Sequence, residues 1–155
     1  MSITEISQSL DFEILKTVGW LLNDAIIYGL VLIALLFVGE KRRKKRTLII
    51  VSIVFAVLAG IAIKNWMEIE RPCIGEDWCP DSYSFPSTHA VAAFALMAGF
   101  IRSRNYPYYV LFAVFVAFTR LNLGVHYFQD IAAALPIALV SYYVTRNVMK
   151  DEKGN

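Results

Sequence analysis

Long apolar blocks separated by short polar breaks set the pattern of this chain. Residues 25–39 carry no charged side chain, and neither do residues 47–63. With their flanks, such runs approach the ~20 helical residues that cross a bilayer core. The breaks predict five spans at about 18–39, 47–70, 87–101, 106–120 and 126–145. Pro72 biases Arg71 away from the α region and so closes the second span, and Pro136 predicts a kink in the fifth. Asn23 and Asp24, inside the first run, read most simply as a helix end near the headgroups. Ahead of the spans, Ser2 and Glu5 have capping-box spacing, and Ile3, Ile6, Leu10 and Ile14 recur at intervals of three and four. This predicts a short helix lying on the membrane surface, although the same residues also fit a mobile tail.

Composition strengthens this picture. Of 155 residues, 57% are hydrophobic and 18% charged, against about a quarter charged in soluble domains; the mean hydropathy is +0.53. The predicted fold is an all-α integral membrane protein, a bundle of about five transmembrane helices with residues 1–155 as one domain. The N-terminus lacks a basic n-region and does not read as a cleaved signal peptide.

Charge then sets orientation. Residues 41–46 are six consecutive cations. In a soluble protein they would point to nucleic acid, but between two spans they read as a cytoplasmic loop beside anionic lipid, and no nucleic-acid partner is expected. Two more basic residues, Arg102 and Arg104, and three in the tail (Arg146, Lys150, Lys153) fall on the same side. Opposite them stand Lys16, Lys64, Arg71 and Arg120. The expectation is an outer N-terminus and a cytoplasmic C-terminus. Cys73 and Cys79 then share one outer loop, where an oxidising compartment permits a disulfide; a metal site fits less well, because no third or fourth ligand stands nearby.

Three ionisable clusters interrupt the apolar chain, and the inferred topology puts all three at the outer surface. Lys64 and Arg71 are seven apart, almost two helical turns. Taken singly, each is an ordinary snorkelling cation. Pro86, Ser87, Thr88 and His89 suit a helix start, whose free N–H groups and positive dipole end favour an anion. Arg120, His126 and Asp130 form the third cluster. His126 and Asp130 are four apart and would share a helical face; a carboxylate there fixes the imidazole tautomer and supports its charge. The plainer alternative is an interfacial loop whose polar residues merely separate two helices. Each charge at a span centre costs about 2.5 to 3.5 kcal/mol, so three converging clusters argue for an anion site. Their parts suit phosphoryl transfer, in which a protein mainly positions groups and spreads charge.

The order Lys64-x6-Arg71-Pro72, Pro86-Ser87-Thr88-His89, Thr119-Arg120-x5-His126-x3-Asp130 resembles the three-part signature of the type 2 phosphatidic acid phosphatase superfamily, membrane lipid phosphatases with a haloperoxidase-like active site. Thr88 stands where glycine is usual and Thr119 where serine is usual. The resemblance implies that His126 attacks phosphorus to form a phosphohistidine, oriented by Asp130, and that His89 protonates the leaving oxygen. It also implies that Lys64, Arg71, Ser87, Thr88 and Arg120 hold the phosphate. No metal and no cofactor are expected, since the cations supply the charge.

With no separate substrate domain, the expected substrate is a lipid phosphate or diphosphate held at the interface. An outward site favours a polyprenyl diphosphate of the undecaprenyl or dolichyl type, recycled as a glycan carrier. A phosphatidate or phosphatidylglycerophosphate phosphatase is the alternative. Outside enzymology, the alternative is an anion-binding transporter or a structural bundle subunit.

Overall fold

The computed structural model describes residues 13–151. Among them the regular structure is all helical: α1 (Glu13–Leu21), α2 (Ala25–Gly39), α3 (Arg43–Met67), α4 (Thr88–Ala98), α5 (Tyr106–Asn122) and α6 (Phe128–Asp151). The surface helix expected over residues 3–14 lies almost wholly outside the described residues.

Among the described residues, α3 and α6 are long and apolar enough to cross a membrane, and α1 with α2 adds a third crossing if the bent pair counts as one. The first expected span is therefore not a single rod. It bends by 95° between α1 and α2. Asp24 causes the restart, because its Oδ1 accepts from the backbone N–H groups of Ile26 and Ile27, each at 2.9 Å. Asn23 turns the other way, into the bundle. The second run stops at Met67 rather than near 70, with Glu68 left-handed at φ 49°. The third is helical only over the 11 residues of α4, a rod of about 16 Å. α6 begins at Phe128, two residues later than expected, and runs on past Pro136.

α4 is the hub. It packs against α3, α5 and α6 and touches α2, while α6 also lies along α3 and α1 along α5. Every residue from Ala90 to Ala98 is buried. Alanines at 90, 92, 93, 95 and 98 leave room for neighbours on all sides. Their contacts are close. A Cβ on Gly99, just past α4, would stand 2.5 Å from Cγ1 of Ile49 on α3.

The loop from α3 to α4 is closed by a Cys73–Cys79 disulfide, so of the two readings of that pair the disulfide is the one present. It enters α4 through a cis Phe85–Pro86 bond. At the other end of the bundle, Tyr109 stacks on Phe100 with ring centroids 3.6 Å apart and donates to the Leu35 carbonyl at 2.8 Å.

A Cβ on Gly39 would overlap the Tyr109 hydroxyl and stand 2.8 Å from its Cζ. Gly39→Ala should therefore cost roughly 1 to 3 kcal/mol of stability. Thermal unfolding in detergent checks this, and a Tyr109→Phe background should reduce the cost of the added methyl. Equal costs in both backgrounds would exclude the hydroxyl as the cause.

Candidate active site

His126 lies in the turn between α5 and α6. Gly124, at φ 68°, lets the chain reverse there. The imidazole is therefore not on the helix, and the expected shared helical face is corrected: His126 precedes α6, and Asp130 reaches back from its first turn. The two still meet, with Nδ1 3.2 Å from Asp130 Oδ2. The start of α6 needs acceptors for its free N–H groups, and the same Oδ2 accepts from the Tyr127 amide at 2.8 Å. Capping the helix and holding the imidazole are thus one arrangement.

Arg71 approaches the other ring nitrogen, its Nη1 standing 3.3 Å from His126 Nε2. A guanidinium only donates, so Nε2 must be the unprotonated nitrogen, and Nδ1 carries the proton given to Asp130. The rest of the guanidinium is occupied by Val125 O at 2.8 Å, Ser82 O at 2.6 Å and Ser82 Oγ at 2.9 Å. Lys64, in the last turn of α3, donates to Tyr83 O at 2.6 Å and Ser84 O at 3.2 Å. Loop carbonyls thus occupy the cations beside the imidazole.

Burial drives the electrostatics. It pushes the His126 imidazole down to about 4, with Arg71 and Lys64 adding to the effect and the Asp130 hydrogen bond opposing it. Burial also lowers the Arg71 guanidinium, against the pull of Asp130. A neutral imidazole is the form that can act as a nucleophile, and a neighbouring cation can hold the anion it would attack.

The other expected site residues are placed less directly. Ser87 caps α4, accepting from Ala90 N–H at 3.5 Å, and its own N–H donates to Asp130 O at 3.2 Å. Thr88 and His89 open α4 on a cleft of about 230 Å³ between α2, α3 and α4, walled by Tyr28, Leu32, Ile53 and Val57. The His89 ring rests on Tyr28 with centroids 4.8 Å apart. It lies within the field of Arg120, Arg71 and Lys64. Arg120 is fully buried and donates to Gly19 O at 2.6 Å, Asn23 Oδ1 at 3.1 Å and Thr119 Oγ1 at 3.4 Å. The structure thus joins Lys64, Arg71, His126 and Asp130 through shared contacts, ties Ser87 to Asp130, and sets His89 and Arg120 alongside.

Sequence reasoning missed Ser84. Its hydroxyl donates to Asp130 Oδ2 and lies 3.4 Å from His126 Nδ1. Its only signal is its place two residues before Pro86. Asn23 was read as headgroup polarity, and it is instead an acceptor for Arg120.

Helices and site together define a membrane protein with a histidine–carboxylate pair set among buried cations. The model of the PAP2 superfamily matches residues 45–153. The chain belongs to that superfamily, the family its motifs resemble, and it is an enzyme, a lipid phosphatase; the transporter and structural-subunit alternatives are set aside. Two crystal structures share its fold. One is LpxE from Aquifex aeolicus, at TM-score 0.76 and 19% identity, covering 94% of this chain and 93% of that one. The other is the first transmembrane PAP2-type phosphatidylglycerolphosphate phosphatase from Bacillus subtilis, at 0.70 and 20%, covering 96% and 83%. No curated protein matches the chain.

Two outcomes are expected. The imidazole stays neutral as pH falls from its ordinary value near 6.5 down to about 4, so the acid limb of kcat/KM due to this group should appear near 4. Direct NMR titration of the His126 imidazole near 6.5 would contradict the burial argument. Ser84→Ala should lower kcat by about tenfold through a misoriented Asp130, and should cost about 1 to 3 kcal/mol of stability because a buried carboxylate loses a donor. A variant at wild-type kcat would leave the hydroxyl without a role.

Proposed function

We propose that the chain is one membrane-embedded phosphatase domain that crosses the bilayer five times and carries its site on the extracytoplasmic face, with the C-terminus in the cytoplasm. His126 Nε2 attacks phosphorus, the bond to the leaving oxygen breaks, and His89 gives that oxygen a proton. Lys64, Arg71 and Arg120, with Ser87 and the Thr88 amide, take the non-bridging oxygens in place of their present carbonyl and side-chain acceptors. Water then cleaves the phosphohistidine and releases inorganic phosphate. The carrying observation is the His126 ring, held between the Asp130 carboxylate at 3.2 Å and the Arg71 guanidinium at 3.3 Å.

A polyprenyl diphosphate is the substrate we favour. The basic residues crowd the opposite end of the bundle, which supports an outward site. The apolar cleft beside Thr88 and His89 supports a substrate with a hydrocarbon tail. A phosphatidylglycerophosphate phosphatase is the second reading, favoured by the activity named for the Bacillus subtilis structure.

The test is phosphate release by detergent-solubilised protein from a polyprenyl diphosphate, phosphatidylglycerophosphate and phosphatidate. The diphosphate should give the highest kcat/KM; a reversed ranking installs the second reading. His126→Ala should abolish turnover of every substrate while the fold persists, and a variant at wild-type rate would refute the nucleophile. His89→Ala should harm monoester cleavage more, since an alkoxide leaving group needs a proton more than phosphate does. Equal losses would count against His89 as the acid.

A further inference from the structure

At the end of the bundle remote from His126, a second charged cavity opens between α3, α6 and the turns after α4. Its volume is about 310 Å³, and Arg42, Lys45, Arg102 and Arg146 line it together with Tyr142 and Tyr143. Leu48, in its wall, lies sixteen residues along α3 from Lys64, which is about 24 Å of helix. The two sites are separate.

The charges in this cavity do not balance. Glu40 is buried and engages Arg42 Nε at 3.0 Å and Lys45 Nζ at 3.0 Å. One carboxylate thus serves two cations, and among the described residues Arg102 and Arg146 have no ion-pair partner. They come from different elements, a turn and α6, and fold onto one concavity rather than spreading apart. Arg42 and Lys45 also stand at the start of α3, where the helix dipole already disfavours positive charge. Like charges gathered this way call for an anion. Guanidinium forks and phenol hydroxyls fit the oxygens of a phosphate group, and the apolar side chains of Leu48 and Ile101 in the same wall fit a glycerol or acyl chain beside it.

We propose that this cavity binds a phosphate group, supplied by the headgroup of an anionic phospholipid, as a site distinct from the phosphatase centre. Phosphatidylglycerol is the probe, because its phosphodiester is not a phosphatase monoester substrate. The full chain in neutral detergent is titrated with phosphatidylglycerol, phosphatidylcholine or inorganic phosphate, and the rise in unfolding temperature gives an apparent Kd. Phosphatidylglycerol should stabilise and phosphatidylcholine should not. The double variant Arg102→Gln/Arg146→Gln should weaken phosphatidylglycerol binding by about tenfold or more. Lys41→Gln/Lys44→Gln, which removes the same charge from exposed positions outside the cavity, should stay within about twofold of wild type. Arg102→Lys/Arg146→Lys, which keeps the charge, should retain most of the binding and controls for folding. Stabilisation by inorganic phosphate that the glutamine pair abolishes, with the lipid inert, keeps the site and assigns it to the free ion. Equal losses in the Arg102→Gln/Arg146→Gln and Lys41→Gln/Lys44→Gln pairs reduce the effect to diffuse surface charge and overturn the site, as does equal stabilisation by both lipids.

Discussion

The burial of α4 from Ala90 to Ala98 constrains everything else. A short helix of small residues lets α3, α5 and α6 come close to one another, and it has no face left with which to slide or tilt. Its first turn is consequently a fixed point. Ser87 donates from that turn to the backbone of Asp130, so the position of α4 fixes the carboxylate, and the carboxylate fixes His126. The geometry of the histidine–carboxylate pair thus depends on packing alanines closely.

The cations beside the imidazole show how a bundle stores positive charge before an anion arrives. Lys64 and Arg71 are buried, and a buried ammonium or guanidinium without acceptors would be expensive. The loop after α3 supplies the carbonyl oxygens of Ser82, Tyr83 and Ser84, and the turn before α6 supplies that of Val125. Neutral acceptors satisfy the donors without cancelling their charge. The cluster therefore keeps its full positive charge while its donors have acceptors.

Much of this was legible in the sequence, and the losses have physical reasons. Uncharged runs located α2 and α3, because lipid and packing both demand apolar residues there. The motif spacings located Lys64, Arg71, His126 and Asp130 as neighbours. Hydropathy could not find the bend at residues 22–24, since a polar pair such as Asn23 and Asp24 looks the same at a membrane surface as inside a bundle. It also could not show that α4 stops at Ala98. Residues 99 and 100 are as buried as the helix before them, so the run continues where the helix does not. Spacing placed His126 and Asp130 together for the wrong reason, because a capping carboxylate reaching back mimics an i, i+4 pair. Ser84 had no signal beyond its neighbourhood, and only the folded loop brings it to Asp130.

The family-defining segment starts at residue 45, yet Arg120 donates to Gly19 and Asn23, and the His89 ring leans on Tyr28. A shortened protein beginning at the segment boundary would keep every signature residue and still strip Arg120 of these acceptors and of the cover that α1 gives it. The smallest self-sufficient unit is thus longer than the stretch by which relatives are recognised. Any transplant of this residue cluster onto another scaffold must carry the leading pair of helices with it.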